Sequence, residues 1–239
     1  MLHYHATPGS HFAVDTIAGE NTTYSAPAMA VLPTGEVAVV ALGPNNSLIC
    51  YLSSTPSPTG PSAWTPETVA EPGSIITPTE FARTTSPGIA ARSTGEVDVV
   101  WYGDGGTLLY FASNPPYSSW QTSPIAVGFF DPSGIYASPQ IAVRSADPAG
   151  EVAVVAGGLY YYANPGPLNP NPAWTFSLLP SGNDPIGLAV RASNPAGEAD
   201  VIAVDAYNLT LFYFWTSPPY SFWNSTMLLR DFSGVPNNP

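Results

Sequence analysis

Arginine recurs beside glutamate in a chain that has few charged residues. Three arginines each lie a few residues before a Gly-Glu pair, as Arg92 with Glu96, Arg144 with Glu151 and Arg191 with Glu198. A guanidinium forms strong, often bidentate hydrogen bonds with a carboxylate. The simplest interpretation is that each arginine pairs with its glutamate, and the alternative is that its donors contact a ligand.

Aromatic residues are the second group that could form a binding site. One tryptophan recurs in each of four similar segments, as Trp64, Trp120, Trp174 and Trp223. An aromatic ring can stack on the apolar face of a ligand, but a ring at a fixed place in a repeat also fills the space between packed units. Both uses stay open. Further candidates are Trp101 and Tyr102, together with three residues beside proline that we expect to be exposed, Tyr117, Tyr220 and Phe222.

Catalytic and metal-binding patterns are weak. His3, His5 and His11 lie close together in sequence, but the first two occupy positions where other segments have aromatic residues, so we expect no metal site. Asp98 and Asp200 share one strand position in two segments and are the only hint of an enzyme. The sequence contains neither a phosphate-binding loop nor an EF-hand loop, and we expect no cofactor.

These residues belong to four copies of one sequence unit. Gly-Glu occurs at 35–36, 95–96, 150–151 and 197–198, so the copies are 60, 55 and 47 residues apart. An Ala-rich alternating stretch precedes each Gly-Glu, and an aromatic run, a Pro-rich loop and the tryptophan follow it. Residues 1–19 align with the second half of a unit, with Phe12 in the place of tryptophan. The chain therefore contains four repeats and an N-terminal half repeat.

Each repeat contains four short alternating apolar segments, separated by turns rich in Gly, Pro, Asn and Ser. Such segments predict β-strands, and four strands in a repeat of this length are typical of a β-propeller blade. We predict an all-β propeller of four-stranded antiparallel blades, about five in number, forming one domain over residues 1–239. The half blade is 1–24, and the complete blades are about 25–77, 86–136, 138–184 and 186–234. We expect the Ala-rich strand to be innermost and the tryptophan strand outermost.

The chain has four inner strand pairs, which are the first two strands of a repeat, and five outer pairs, which are the last two. These numbers do not make whole blades. The residues after Trp223 are too few to supply two more inner strands. An unpaired strand edge promotes association between chains. We therefore expect a homo-oligomer or a larger repeat array to complete the half blade, with irregular closure as a further alternative.

Composition excludes several classes of protein. The 28 Pro and 21 Gly among 239 residues argue against a helical architecture, whereas a hydrophobic share of 44% predicts a folded core. A net charge of −12, with five Arg and no Lys, argues against binding of nucleic acid through its phosphates. No apolar run is long enough to predict a membrane span. The lone Cys50, in an apolar run, predicts a buried thiol, and the weakly charged polar exterior predicts a secreted protein, although the first residues lack the pattern of a signal peptide.

The repeat resembles the tandem β-propeller repeats of bacterial secreted proteins, especially an actinobacterial type. The matching motifs are Ser25-Ala26-Pro27, Gly35-Glu36, Gly43–Leu48, Ala6–Ser10 and Ser86–Val100. The repeat is similar, more distantly, to the tachylectin-type and Photorhabdus-type propeller lectins. The resemblance covers nearly the whole chain. It implies a propeller fold and carbohydrate binding, and it carries over no individual sugar-contacting residue.

A sugar site combines an aromatic face with amide, carboxylate or arginine groups that bind hydroxyls. We predict a non-enzymatic, lectin-like protein that binds glycans at several shallow sites between blades and so gains avidity. The candidate ligand-binding residues are Arg92, Arg144, Arg191, Trp64, Trp101, Trp120, Trp174, Trp223, Tyr117 and Tyr220. The alternatives are a structural or protein-interaction propeller without a small ligand and, less favoured, a glycan-active enzyme.

Overall fold

A computed structural model of the chain describes residues 1–5, 13–75, 86–127, 138–144, 150–163, 172–180, 184–190, 198–205 and 210–230. Regular structure within these residues is almost entirely β-strand, with short 3-10 turns such as Pro44–Asn46 and Asp104–Gly106. The predicted all-β fold class is confirmed. No helix in this part of the chain is long and apolar enough to cross a membrane.

The strands form antiparallel sheets in which neighbours pair in chain order. The half blade pairs Leu2–His5 (β1) with Ala13–Thr16 (β2). Blade one contains Ala28–Val31 (β3), Val37–Gly43 (β4), Ser47–Ser53 (β5) and Trp64–Ala70 (β6). Blade two contains Gly88–Ala91 (β7), Val97–Gly103 (β8), Thr107–Ser113 (β9) and Gln121–Ala126 (β10). Four complete blades and one half blade agree with the predicted repeats.

The remaining two blades follow the same plan. Blade three contains Gln140–Val143 (β11), Val152–Ala156 (β12), Leu159–Ala163 (β13) and Thr175–Leu178 (β14). Blade four contains Asp184–Val190 (β15), Ala199–Asp205 (β16), Thr210–Thr216 (β17) and Asn224–Arg230 (β18). Because the strands pair with the same register, positions in different blades can be compared directly.

Tight hairpins join the first two strands of blades one and two. The Gly35 N–H donates to the Leu32 carbonyl oxygen at 2.8 Å, and the Gly95 N–H donates to that of Arg92 at 3.0 Å. Gly35 and Gly95 have φ angles of 89° and 91°, in the left-handed region that side chains disfavour. The glycine of the recurring Gly-Glu pair is therefore explained by the turn.

The first strands of successive blades contact one another. β3 lies against β7, β7 against β11, and β11 against β15. The Ala-rich strand is thus innermost, as predicted. The second strands of blades one, two and three are covered on both faces, since every residue of β4, β8 and β12 is buried.

Apolar side chains on both faces of each sheet join the blades into continuous cores. One core extends from blade one through blade two to blade three, and a second joins blades three and four. A third packs Ile17 of the half blade against Val39 and Trp64 of blade one. Cys50 is buried in the first core, as predicted, and burial, with Glu67 nearby, raises the pKa of its thiol to about 12.

Gly88 on β7 lies unusually close to blade three. A Cβ there would lie 2.8 Å from the Pro139 carbonyl oxygen and 3.2 Å from Ile141 Cγ2. Gly187 is the equivalent residue in blade four, where a Cβ would meet, among the described residues, only Ile202 Cβ, at 4.0 Å. We expect Gly88→Ala to lower the free energy of unfolding by about 1–3 kcal/mol, because the backbone of one blade must move.

The matched control for this prediction is Gly187→Ala, which we expect to change the free energy of unfolding by no more than about 0.5 kcal/mol. Urea denaturation of the two variants gives both values. Equal losses in the two variants would show that the space around Gly88 is no tighter than the space around Gly187.

Candidate functional site

A groove between the outer strands of blades one and two has both apolar and polar groups in its lining. Its volume is about 410 Å³, within the range of small-molecule sites. One wall comes from the end of β6 and the loop after it, and the other from β9, the connection between β9 and β10, and the start of β10. The apolar part of the lining comes from Trp120 with Leu109, Phe111, Val69 and Ala70. The tryptophan predicted to be a ligand contact thus lies in the groove.

Hydroxyl groups and one carboxylate lie beside these apolar side chains. They belong to Glu71, Thr68, Ser74, Ser118, Ser119 and Thr122, all of which are exposed. A hydroxyl both donates and accepts a hydrogen bond, and a carboxylate accepts up to four. The groove therefore combines a flat apolar surface with a dense set of groups that can bind hydroxyls.

The indole N–H of Trp120 adds an unused donor. Its Nε1 atom is buried and has no hydrogen-bond partner among the described residues. A buried donor without a partner costs about 1–3 kcal/mol. In blade four, the equivalent Trp223 Nε1–H donates to Ser177 Oγ of blade three at 3.1 Å. The tryptophan series therefore spans blade interfaces, and its members differ in how their polar atom is satisfied.

The interface of blades two and three lacks the polar groups of this groove at the equivalent described positions. Val127 and Phe176 replace Glu71 and Thr122 at the interface of blades two and three, and both are exposed. At the interface of blades three and four, Leu178 occupies the place of Thr68, whereas Ser225 keeps a hydroxyl at the place of Thr122. The predicted repetition of one binding site at every interface stays a prediction, with the first interface the best equipped.

Arg92 lies in a buried network between blades two and three. Its Nε atom is 2.9 Å from Glu96 Oε1 and 2.8 Å from Asp98 Oδ2. One Nη group donates to the Gly150 carbonyl oxygen at 3.2 Å, and the other donates to the Tyr110 hydroxyl at 3.2 Å. Only 4% of Arg92 is exposed. The predicted arginine–glutamate pairing is confirmed here, and it includes Asp98, which the pattern did not assign to this pair.

Burial dominates the ionisation of this network. It raises the pKa of Asp98, against the lowering effect of Arg92 and its hydrogen bonds. It also raises the pKa of Tyr110, whose hydroxyl donates to Asp98 Oδ1. The network holds its charges by mutual pairing away from water, so Arg92 is placed to join blades rather than to meet a ligand.

Arg144 forms a similar but more open pair between blades three and four. Its Nη2 group donates to Glu151 Oε1 at 3.2 Å and to the Tyr220 hydroxyl at 3.0 Å. The Tyr220 hydroxyl in turn donates to Glu151, and burial raises the pKa of Glu151 despite these partners. The predicted pairing is confirmed for Arg144, whereas Arg191 lies outside the described residues.

Tyr220 does not occupy the exposed position that its place beside proline predicted. Only 1% of its surface is exposed, whereas Phe222 is 85% exposed, as expected. Tyr220 has a φ of 57°, and its ring packs on Tyr160 and Tyr162 of blade three. The hydrogen bond to Glu151 and this aromatic packing hold it inside the blade interface, which is why the prediction of exposure was wrong.

The other aromatic candidates contribute mainly to packing. Trp64 and Trp101 are buried, and Tyr102 is buried beside Trp101. Trp174 lies edge-on to Tyr110, with ring centroids 5.4 Å apart. Tyr117 is half-buried, and its hydroxyl donates to the Gly95 carbonyl oxygen at 2.8 Å.

Carboxylate pairs suited to catalysis are not brought together at the predicted positions. Asp98 lies on β8 in blade two and Asp200 on β16 in blade four, with blade three between them. Asp200 accepts a hydrogen bond from Tyr213, the equivalent of Tyr110. His3 and His5 lie on β1, and His11 lies outside the described residues. Within the described ranges, no three His, Cys, Asp or Glu side chains could hold a metal ion.

Sequence reasoning missed most of the polar groups in the groove. Ser118 and Ser119 directly precede Trp120, so their position beside a repeated tryptophan was a usable signal. Thr68 on β6 and Glu71 just after this strand lie about fifty residues earlier, and nothing local in the sequence links them to Trp120. Only the packing of blade one on blade two brings the two groups together.

No protein-family model and no curated protein sequence matches the chain. The solved structures similar to it include a variant of AofleA from Arthrobotrys oligospora with three arginine-to-alanine substitutions. This variant is 12% identical, with a TM-score of 0.53 over 87% of the present chain and 57% of its own. The SapL1 lectin in complex with alpha methyl fucoside is 10% identical, with a TM-score of 0.53 over 84% and 63%. The chain spans less than two thirds of either protein, and likeness at such identity shows the fold.

Proposed function

We propose that this protein is a non-enzymatic, lectin-like propeller that binds a glycan in the groove between blades one and two. The observation that carries the proposal is the meeting of Trp120 with Glu71 and five Ser and Thr hydroxyls in one open cleft. Sugars have C–H faces that pack on aromatic rings and hydroxyls that need both donors and acceptors. The groove offers both kinds of contact.

The roles of the side chains follow from their chemistry. The indole of Trp120 packs against the apolar face of a sugar ring, with Phe111 and Leu109 beneath it. Glu71 accepts hydrogen bonds from two adjacent sugar hydroxyls, and Ser118 and Ser119 exchange hydrogen bonds with a third. Because the cleft is open and its polar groups are already hydrated, one sugar unit should bind weakly, with a Kd of about 1 mM.

The shared fold with a lectin captured in complex with a fucoside supports a carbohydrate as the ligand class. We also propose that the protein does not hydrolyse the glycan that it binds. Glycoside hydrolysis requires two carboxyl groups about 5–10 Å apart. Asp98 and Asp200, the candidates for such a pair, lie two blades apart, and each is held by its own tyrosine.

A glycan-array screen of the whole chain, followed by titration of the best sugar, tests the proposal. We expect Trp120→Ala to weaken sugar binding at least about tenfold through the lost stacking surface. Glu71→Gln, at an exposed site, should weaken it by a smaller factor without changing stability.

The matched control is Trp174→Ala, which removes the equivalent ring at the next interface, where Val127 and Phe176 replace the polar groups. It should leave sugar binding unchanged. Failure to bind any sugar at millimolar concentration, or equal losses in the two tryptophan variants, would reject the groove as a glycan site.

A further inference from the structure

Two side chains on the innermost strand of blade one are exposed where the equivalent side chains of the other blades are partly buried. Met29 and Val31 on β3 are 59% and 61% exposed. The equivalent pairs on the other first strands all pack against a core, and they are Ile89 with Ala91, Ile141 with Val143 and Leu188 with Val190. The difference lies in the preceding blade, because blades two, three and four each follow a complete blade and blade one follows the half blade.

The half blade has an open inner edge next to these residues. Its strand β1 corresponds to the third strand of a blade, and among the described residues it pairs only with β2. A cavity of about 280 Å³ lies beside it, lined by Met1, Leu2, Ile17, Ala28, Met29 and Val39 together with Pro27. The side chains of this lining are all apolar. An apolar cavity that meets an unpaired strand edge has the form of a strand-addition site.

Blade four, at the other end of the series, has an uncovered face among the described residues. At Gly88 of blade two, a Cβ would press against Pro139 and Ile141 of the following blade, whereas at the equivalent Gly187 the described residues within 4 Å comprise Ile202 of blade four itself. Ile202, on the same face of blade four, is 38% exposed. Within the described residues, blade four therefore lacks a first strand packed against it, and the half blade lacks its two inner strands.

We propose that the edge of β1 and the adjacent apolar cavity bind a β-hairpin from a partner protein, and that this hairpin has the pattern of the inner strand pair of this repeat. Its second strand pairs antiparallel with β1, and its first strand covers Met29 and Val31. The side chains that face blade one are small or branched apolar residues, since the cavity presents Ala28, Met29 and Val39.

The contacts between complete blades indicate this occupant rather than a second copy of the chain. Each innermost strand contacts the innermost strand of the next blade, from β3 through β7 and β11 to β15, and the proposed hairpin continues this series. In a second copy, all four inner pairs are already hydrogen-bonded in complete blades. Such a copy has no free hairpin to donate without opening one of its own sheets.

The test uses the whole chain and a hairpin with the sequence of residues 86–103, fused to a small soluble carrier. We expect saturable one-to-one binding by isothermal titration calorimetry, and slower hydrogen exchange at the backbone N–H groups of β1. Met29→Glu should weaken binding at least about tenfold, because it places a charge in an apolar interface. Val127→Glu, an exposed apolar position on blade two, is the matched control and should bind normally.

A hairpin carrying Val99→Pro removes a backbone donor from the second strand and should not bind. No binding of the unmodified hairpin at millimolar concentration would overturn the proposal. A concentration-dependent dimer without the hairpin, disrupted by Met29→Glu, would overturn it in favour of a second copy. Binding of sugar in the groove of blades one and two is independent of both results, so failure here would not be confused with failure of the proposed function.

Discussion

We expect Arg92→Leu to lower the free energy of unfolding by about 3–5 kcal/mol, because it leaves buried carboxylates without their cation. Glu96 and Asp98 are almost fully buried, and Arg92 contacts both within 3 Å. The same substitution removes the hydrogen bond from Arg92 to Gly150, which links blade two to blade three. Urea denaturation followed by tryptophan fluorescence measures the loss.

Blade one supplies the control for this prediction. At the positions of Arg92 and Asp98 it has Leu32 and Ala38, both buried. Its Glu36 accepts a hydrogen bond from Thr34 Oγ1 at 2.8 Å instead of pairing with arginine. The triple variant R92L/D98A/Y110F places the apolar residues of blade one at positions 92 and 98 and keeps the aromatic ring of residue 110 against Trp174.

We expect the triple variant to lose less stability than Arg92→Leu, because it leaves one buried carboxylate, Glu96, without its cation instead of two, and no unpaired hydroxyl at position 110. If the triple variant is as unstable as the single one, the contribution of Arg92 comes from the packing of its side chain and not from its charge.

The loss in Arg92→Leu should also depend on pH. Burial raises the pKa of Asp98 even when Arg92 is present, and removing the cation raises it further. A carboxyl whose pKa is higher in the folded than in the unfolded chain destabilises the fold as pH rises from the unfolded value through the folded one. The difference from the parent protein should therefore be smaller near pH 4 than at pH 8. A loss that is independent of pH would contradict an electrostatic origin.

The second large effect is expected at Trp101. Trp101→Ala should lower the free energy of unfolding by about 3–5 kcal/mol, because a core residue that is 1% exposed leaves a large cavity when truncated. Alanine is the residue that the other three blades have at this position, as Ala41, Ala156 and Ala203, all fully buried. The substitution thus restores the common residue of the repeat and still destabilises the protein.

Two controls separate the cavity from other effects. Trp101→Phe keeps most of the buried ring and should lose clearly less than Trp101→Ala. Phe222→Ala removes an aromatic ring that is 85% exposed and should change stability by no more than about 0.5 kcal/mol. A nearly neutral Trp101→Ala would mean that blades one and two move together and close the space.

Much of the architecture could be predicted because it is encoded locally. Alternating apolar residues mark the strands, Gly35 and Gly95 mark the first hairpins through their positive φ, and the repeat spacing marks the blades. These signals act within about ten residues and recur in each copy, so one blade supports the interpretation of the next. The pairing of Arg92 with Glu96 belongs to this class, since both residues flank one tight turn.

The positions of individual side chains between blades could not be predicted in this way. Tyr220 lies beside proline like an exposed turn residue, yet Glu151, from the preceding repeat, holds it in the interior. Glu71 and Trp120 come from different repeats and share a groove only because β6 of blade one lies against blade two.

A count of repeat segments predicted the half blade. It did not predict that the half blade leaves side chains of blade one exposed. The sequence alone determined the strands, the hairpins and the order of the blades, because these depend on periodicity and turn chemistry over short stretches. Tertiary structure decided which faces of those strands are covered, because burial at one blade depends on whether its neighbour is complete. Met29 and Ile89 hold the same place in the repeat, and only the packing of blade against blade leaves the first exposed and the second covered.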